Sequence, residues 1–104
     1  MKIYKGILTE NYVANQLKSS GHDLLYWQGA RNSEVDFLIT TKNDGVIPIE
    51  VKADDNTQPK SLYVYDLLYN PKYMIRISSK DFGFSPKSKI KSIPLYAVFL
   101  IKNL

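Results

Sequence analysis

The chain has 104 residues, 44% hydrophobic and 23% charged, which suits one globular domain spanning residues 1–104 and leaves no room for two. It holds no cysteine and one histidine, His22, which excludes a disulfide scaffold, an iron–sulfur centre, a Cys-ligated zinc site, a thiol nucleophile and His-rich metal chemistry. The net charge of +4 is uneven: residues 1–71 carry seven Lys/Arg against nine Asp/Glu, and residues 72–104 carry seven Lys/Arg against Asp81.

Residues 3–18 read as a helix. Ile3, Ile7, Glu10, Ala14 and Leu17 share one stripe, with Val13 beside it, at the spacing of a helix face. Leu8 and Tyr12 fall off the stripe and suggest a second apolar face, and Ser19, Ser20 and Gly21 end the helix. Leu24–Trp27 is a short strand, followed by a turn over Gln28–Ser33 that contains Gly29 and Asn32. Glu34–Thr40 alternates, sending Val35, Phe37 and Ile39 to one side and Glu34, Asp36 and Leu38 to the other. Asn43-Asp44-Gly45 marks a hairpin, and Val46–Lys52 returns with Ile47, Ile49 and Val51 on one face and Glu50 and Lys52 on the other. Gln58-Pro59 opens a second helix over Lys60–Tyr69, which Pro71 ends. Tyr73–Ile77 is a fourth strand. Ser78–Ser92, with Gly83, Pro86 and four lysines, reads as the one long loop. Ile93–Ile101 is apolar on both faces and reads as a central or well-covered strand. The order α-β-β-β-α-β-β predicts an α/β (α+β) fold, one mixed sheet flanked by helices.

No apolar run approaches the roughly 18 residues of a membrane span, and the N-terminus lacks a signal-peptide layout, so a cytoplasmic location and no membrane contact are expected. A basic last third beside an acidic site suits a metal-dependent enzyme acting on a polyanion. On charge alone a solvated lysine-rich loop is the preferred reading.

Three features place chemistry. Glu10 lies within the apolar stripe of the first helix, where a carboxylate needs a cationic partner. Glu34 and Asp36 share one face of their strand, and Glu50 and Lys52 share a face of the next. The tight turn makes these strands neighbours, so Asp36 and Glu50 approach across an antiparallel pair, at Cβ separations of about 4.5–5.5 Å for facing residues. Two such carboxylates repel unless a hard divalent cation lies between them, and oxygen-only ligands suit Mg²⁺ or Mn²⁺. The alternative is an Asp36–Lys52 or Glu50–Lys52 ion pair without metal.

The succession Glu34-Val35-Asp36, then Glu50-Val51-Lys52 fourteen residues after Asp36, resembles the PD-(D/E)XK core of restriction-endonuclease-like nucleases. Glu10, Asp36, Glu50 and Lys52 match, in order, that superfamily's helix acid, strand acid and (D/E)XK strand. A second resemblance covers nearly the whole chain. Gly6–Ala14, Tyr26-Trp27, Glu34–Phe37, Pro48–Lys52, Lys60-Ser61-Leu62 and Ile93–Tyr96 look like the C-terminal domain of unknown function attached to many prokaryotic AAA-type ATPases. The chain has no GxxxxGK[ST] phosphate loop, so it is expected to be a part or a stand-alone copy of such a protein, with the ATPase module in cis or in trans.

The resemblances imply a restriction-endonuclease-like core, α-β-β-β-α-β with an extra C-terminal strand. They imply a Mg²⁺- or Mn²⁺-dependent nuclease acting on DNA phosphodiesters. Asp36 and Glu50 would hold the metal, Glu10 would bind it directly or through water, and Lys52 would assist the attack. Glu34 is an outer-ligand candidate and the Val51 carbonyl a further one. A homodimer is expected, with Leu8 and Tyr12 as contact candidates. The alternative is a catalytically silent module that binds nucleic acid or protein for an ATPase partner.

Outside that cluster, Arg31 either touches a phosphate or pairs with Glu34. Lys87, Lys89 and Lys91 alternate, so an extended loop would place them on one side, along a phosphate backbone. Tyr63, Tyr65 and Tyr69 on the second helix either stack on bases or pack, and packing is the preferred reading. His22 is expected to be exposed and idle.

Overall fold

The computed structural model describes residues 2–31, 33–52 and 59–103, without the side chains of residues 2–8 and 102–103. Expectations for the side chains of Ile3, Ile7, Leu8 and Lys102, and for Asn32 and Gln58, lie outside the described residues.

Helix α1 spans Lys2–Ser19. Val13 and Leu17, four residues apart, bury one side of it completely, and Ala14 packs beside them. Its end is a Schellman motif: the N–H of His22 donates to the Leu17 carbonyl and that of Gly21 to the Lys18 carbonyl. Gly21 takes φ +88° there, a region that L side chains rarely enter. The His22 side chain is half-buried, with Nε2 2.9 Å from the Ile101 carbonyl oxygen. It therefore ties the end of α1 to the C-terminal segment and is not idle, correcting the expectation for that residue.

Strands β1 (Leu25–Gln28), β2 (Glu34–Thr41) and β3 (Gly45–Val51) form an antiparallel meander. At the β2–β3 turn the Thr41 hydroxyl donates to the Gly45 carbonyl and accepts from the Asp44 N–H, while Gly45 supplies the positive φ. Helix α2 (Lys60–Tyr69) then crosses one face of the sheet, so that β4 (Met74–Ser78) runs parallel to β3. Asn70 closes α2 in the left-handed region. Strand β6 (Ile90–Pro94) lies parallel to β4, and β5 (Gly83–Ser85) lies antiparallel to β6 at the edge. The result is one mixed six-stranded sheet in the order β1-β2-β3-β4-β6-β5, flanked by helices.

Each face of the sheet has its own core. Phe37, Ile39, Ile47, Ile49, Ile75 and Ile77 meet α1 and the C-terminal segment on one side. Val35, Met74 and Ile90 meet Leu62 and Tyr65 of α2 on the other. Among the described residues no helix is long and apolar enough to cross a membrane.

Two expectations need correction. The Ser78–Ser92 loop contains strand β5 and the start of β6. The expected strand Ile93–Ile101 stops at Pro94 and continues as a 3₁₀ helix over Leu95–Asn103. A strand would put Ala97, Phe99 and Ile101 on one face. Instead Ala97, Val98 and Ile101 are buried while Tyr96 and Phe99 face outward, a period of three. A continuous apolar run has no polar positions to reveal its period, so the sequence alone does not separate these cases.

Candidate functional site

The site is built around a bulge in β2. The β1–β2 register pairs Leu25 with Leu38 and Trp27 with Val35, two residues against three. This corrects the simple alternation expected for the strand. Val35 packs on the α2 side while Phe37 and Ile39 pack on the α1 side. Asp36, between them, is turned toward β3, where its Oδ2 accepts the Val51 N–H at 2.7 Å. A side-chain carboxylate thus replaces a strand carbonyl just beyond the last paired residues, Phe37 and Ile49. Bulges commonly re-aim a side chain in this way.

Glu50 lies on β3 opposite Arg76 of β4 and is only 4% exposed. Its Oε1 is 3.6 Å from the Lys52 ammonium, and its Oε2 is buried with no hydrogen-bond partner. Lys52 follows the end of β3, held by its N–H donating to the Ile77 carbonyl. Glu10 on α1 is solvent-exposed, not the buried stripe residue the sequence suggests, yet it reaches the same neighbourhood. An open cleft of about 470 Å³ is lined by Glu10, Asn11, Tyr26, Glu34 and Asp36.

The electrostatics agree with crowded acids. Desolvation raises the Glu50 pKa above the usual carboxylate range; Lys52 and Arg76 pull it down and Asp36 pushes it up. Desolvation also raises Asp36, against the Val51 hydrogen bond and Lys52, which lower it. Glu10 is raised by partial desolvation first, then by Asp36 and Glu34, with Lys52 opposing. Lys52 is thus the cation common to all three acids.

The model of a domain of unknown function, DUF4143, matches residues 5–98. The chain belongs to the DUF4143 family. No curated protein matches it. A solved structure with a similar fold is a chain of the refined half-complex from the tetradecameric assembly of Thermococcus gammatolerans McrB AAA+ hexamers with bound McrC, at TM-score 0.59 and 15% identity. The similarity covers 86% of this chain and 27% of that one, so the DUF4143 chain spans about a quarter of its length.

In this DUF4143 domain Asp36, Glu50 and Lys52 come together as the spacing predicts, with Glu10 and Glu34 at the margin. Among the described residues, no three His, Asp or Glu side chains are gathered into a group that holds a metal ion. The donor chemistry of the inner pair nevertheless fits Mg²⁺ or Mn²⁺. Mg²⁺ commonly takes only one or two carboxylates and keeps its waters, and the buried Glu50 Oε2 lacks a partner. Arg76 was not singled out by sequence reasoning. Its signal is a charged residue inside the apolar strand Met74–Ser78, opposite Glu50 in register.

The basic candidates are dispersed. Lys89, at φ +62°, is used inside the fold: its Nζ pairs with Asp66 and donates to Asn70 Oδ1 and the Pro71 carbonyl, closing the end of α2. Lys91 lies over the Tyr73 ring at 3.9 Å, and Lys87 is exposed. The expected single row of three lysines therefore does not form, because the segment turns at Lys89 and enters β6. Arg31 is exposed in the β1–β2 turn at φ +57°. Glu34 is exposed, and its N–H donates to Ser61 Oγ. Tyr65 and Tyr69 pack edge-on against Trp27, as the packing reading holds, while Tyr63 and Tyr12 are partly exposed. Trp27, Tyr65 and Tyr69 line a larger, mainly apolar hollow of about 770 Å³ beside α2, whose Asp44 and Lys72 pair with each other.

Proposed function

We propose that this domain is a restriction-endonuclease-like, PD-(D/E)XK-type nuclease module that binds Mg²⁺ or Mn²⁺ and acts on DNA phosphodiesters in the service of an AAA-type ATPase. The observation that carries the reading is the buried, half-unpartnered Glu50 carboxylate beside a desolvated Asp36 and the Lys52 ammonium. Two acids held in an environment that disfavours their charge mark a candidate functional site. The AAA+ context rests on the resemblance over Gly6–Tyr96 and on the fold shared with a chain of an AAA+ assembly.

When bound, the cation supplies Lewis-acid polarisation of a phosphoryl oxygen and an activated water. Asp36 and Glu50 would hold it at the end of β3. Asp36 is oriented for this by the Val51 N–H, which occupies one of its oxygens and fixes its rotamer. Glu10 adds negative charge from the α1 side, directly or through water. Lys52 orients the attacking water or neutralises charge that develops on the phosphate.

The second reading, a catalytically silent module that binds nucleic acid or protein for an ATPase partner, is favoured by the Glu50–Lys52 ion pair, which already offsets part of the buried charge. Nicking of supercoiled DNA in Mn²⁺ by wild-type protein and Lys52→Ala separates the two. The nuclease reading predicts nicking that falls by at least 10²-fold in Lys52→Ala, with folding and DNA binding retained. No nicking by the wild type, with Lys52→Ala changing stability alone, supports the silent module.

A further inference from the structure

Strand β1 closes one side of the sheet, and among the described residues it pairs with β2 alone. The extra residue of the bulge lies in β2, so β1 itself runs regularly. Just beyond the strand the Gly29 N–H donates to the Ser33 carbonyl. Antiparallel pairs alternate, so Trp27 bonds to β2 while the main-chain N–H and C=O groups of Tyr26 and Gln28 point away from the sheet. Such an edge is ordinarily blunted by a lysine, a proline or a bulge of its own. Leu25–Gln28 has none of these, and Leu25 and Tyr26 are both more than half exposed.

The two faces beside this edge differ in chemistry. Trp27 lies on the α2 side, edge-on to Tyr65 and Tyr69, and Leu25 shares that side two residues earlier. With Leu38 and Val46 they wall the mainly apolar hollow of about 770 Å³. Tyr26 lies on the α1 side, its ring 6.4 Å from that of Phe37, and Gln28 follows it there. These two wall the cleft of about 470 Å³ together with Glu10, Glu34 and Asp36. Lys52, the cation those acids share, already pairs with Glu50. One bare edge strand therefore has an apolar recess on one face and an acidic recess on the other.

We propose that β1 is a docking edge for an extended segment of a partner protein whose side chains alternate between apolar and basic. The segment adds to the sheet as a further strand. Its main chain takes up the outward groups of Tyr26 and Gln28, and the period of two sends its side chains in turn to the two recesses. Apolar side chains enter the hollow beside Leu25, and Lys or Arg side chains meet Glu10 and Glu34, which are both exposed. Charge complementarity selects this occupant. A second copy pairing through its own β1 offers Tyr26 and Gln28 to the acidic cleft, and neither is a base. A nucleic acid cannot continue the main-chain ladder. The proposal goes beyond the nuclease reading and does not rest on it.

The test is fluorescence anisotropy of a short labelled peptide alternating valine and lysine, titrated with the full chain in EDTA. Trp27, the one tryptophan, is a second reporter. Comparison peptides alternate valine and glutamate, hold the same valines and lysines in two blocks, or carry N-methyl groups on either alternate set of main-chain nitrogens. The chain variants are Leu25→Asn and Glu10→Gln/Glu34→Gln, each checked for unchanged circular dichroism. The alternating valine–lysine peptide is expected to bind saturably and to change the tryptophan emission. Each chain variant is expected to weaken it about tenfold, and the glutamine pair also to flatten its salt dependence. One N-methylated set is expected to abolish binding and the other to retain it, because only alternate N–H groups of an added strand face β1. The peptide comparisons decide the matter even where a chain variant fails to fold. No saturable binding of the alternating peptide, equal binding of the glutamate or block peptide, or equal effects of the two N-methylated sets overturns the proposal. So does wild-type self-association that Leu25→Asn abolishes while no peptide binds, since the occupant is then a second copy. Nicking is read separately: peptide binding with no nicking sinks the nuclease reading alone, and nicking with no peptide binding sinks this proposal alone.

Discussion

At the residue scale the decisive feature is a pair of acids held where ionisation is unfavourable. Desolvation raises both Asp36 and Glu50 above their ordinary values of 3.8 and 4.5. A raised carboxylate binds its proton more tightly folded than unfolded. Its ionisation therefore costs stability as pH rises through the raised folded value, and that cost vanishes below the ordinary value. Glu50→Gln and Asp36→Asn are expected to melt higher than wild type at pH 7, by about 4–8 °C for each kcal/mol relieved, and to lose the advantage near pH 4. Asparagine keeps an oxygen for the Val51 N–H, so Asp36→Asn isolates charge from geometry. Thermal melts across pH 4–8 check this, and variants that melt lower at pH 7 would contradict it. Lys89 makes the opposite case. Its ammonium pairs with Asp66 and donates to Asn70 and Pro71 at the end of α2, so Lys89→Ala is expected to destabilise by about 1–2 kcal/mol in urea unfolding.

At the element scale, packing explains why the β1–β2 turn carries its glycine. A Cβ on Gly29 would fall 2.4 Å from the Trp27 ring, which is itself seated against Tyr65 and Tyr69. Gly29→Ala is expected to cost about 1–3 kcal/mol by displacing the indole, seen as a shifted tryptophan emission and a lower urea midpoint. Ile101→Ala is expected to cost about 2–5 kcal/mol, because the 3₁₀ helix inserts that side chain fully into the α1-side core. The elements that alternate or carry terminal punctuation were legible in the sequence. Val13 and Leu17 marked α1, Asn43-Asp44-Gly45 joined β2 to β3, and Pro59 and Pro71 bracketed α2. The bulge was not legible, because it is a property of how Trp27 pairs with Val35 across strands and leaves no local sequence mark. The tail was misread because Ile93–Ile101 has almost no polar residue to show its period.

At the scale of the whole molecule, the candidate site was legible where sheet geometry alone brings residues together. Asp36, Glu50 and Lys52 needed only a hairpin, and the hairpin forms. The lysine row needed an extended loop, and the chain instead turns at Lys89 and adds β6 to the sheet. The resulting topology places the ends of β3, β4 and β6 at one side of the sheet, with the acid cluster at the end of β3. On the proposed reading the acid cluster binds a divalent cation. Calorimetric titration of Mn²⁺ into wild-type protein and into folded Asp36→Asn and Glu50→Gln tests it most directly. Saturable binding to the wild type, weakened at least tenfold by each substitution, is the expected result. Absence of binding to the wild type, or binding unchanged in both variants, would contradict it.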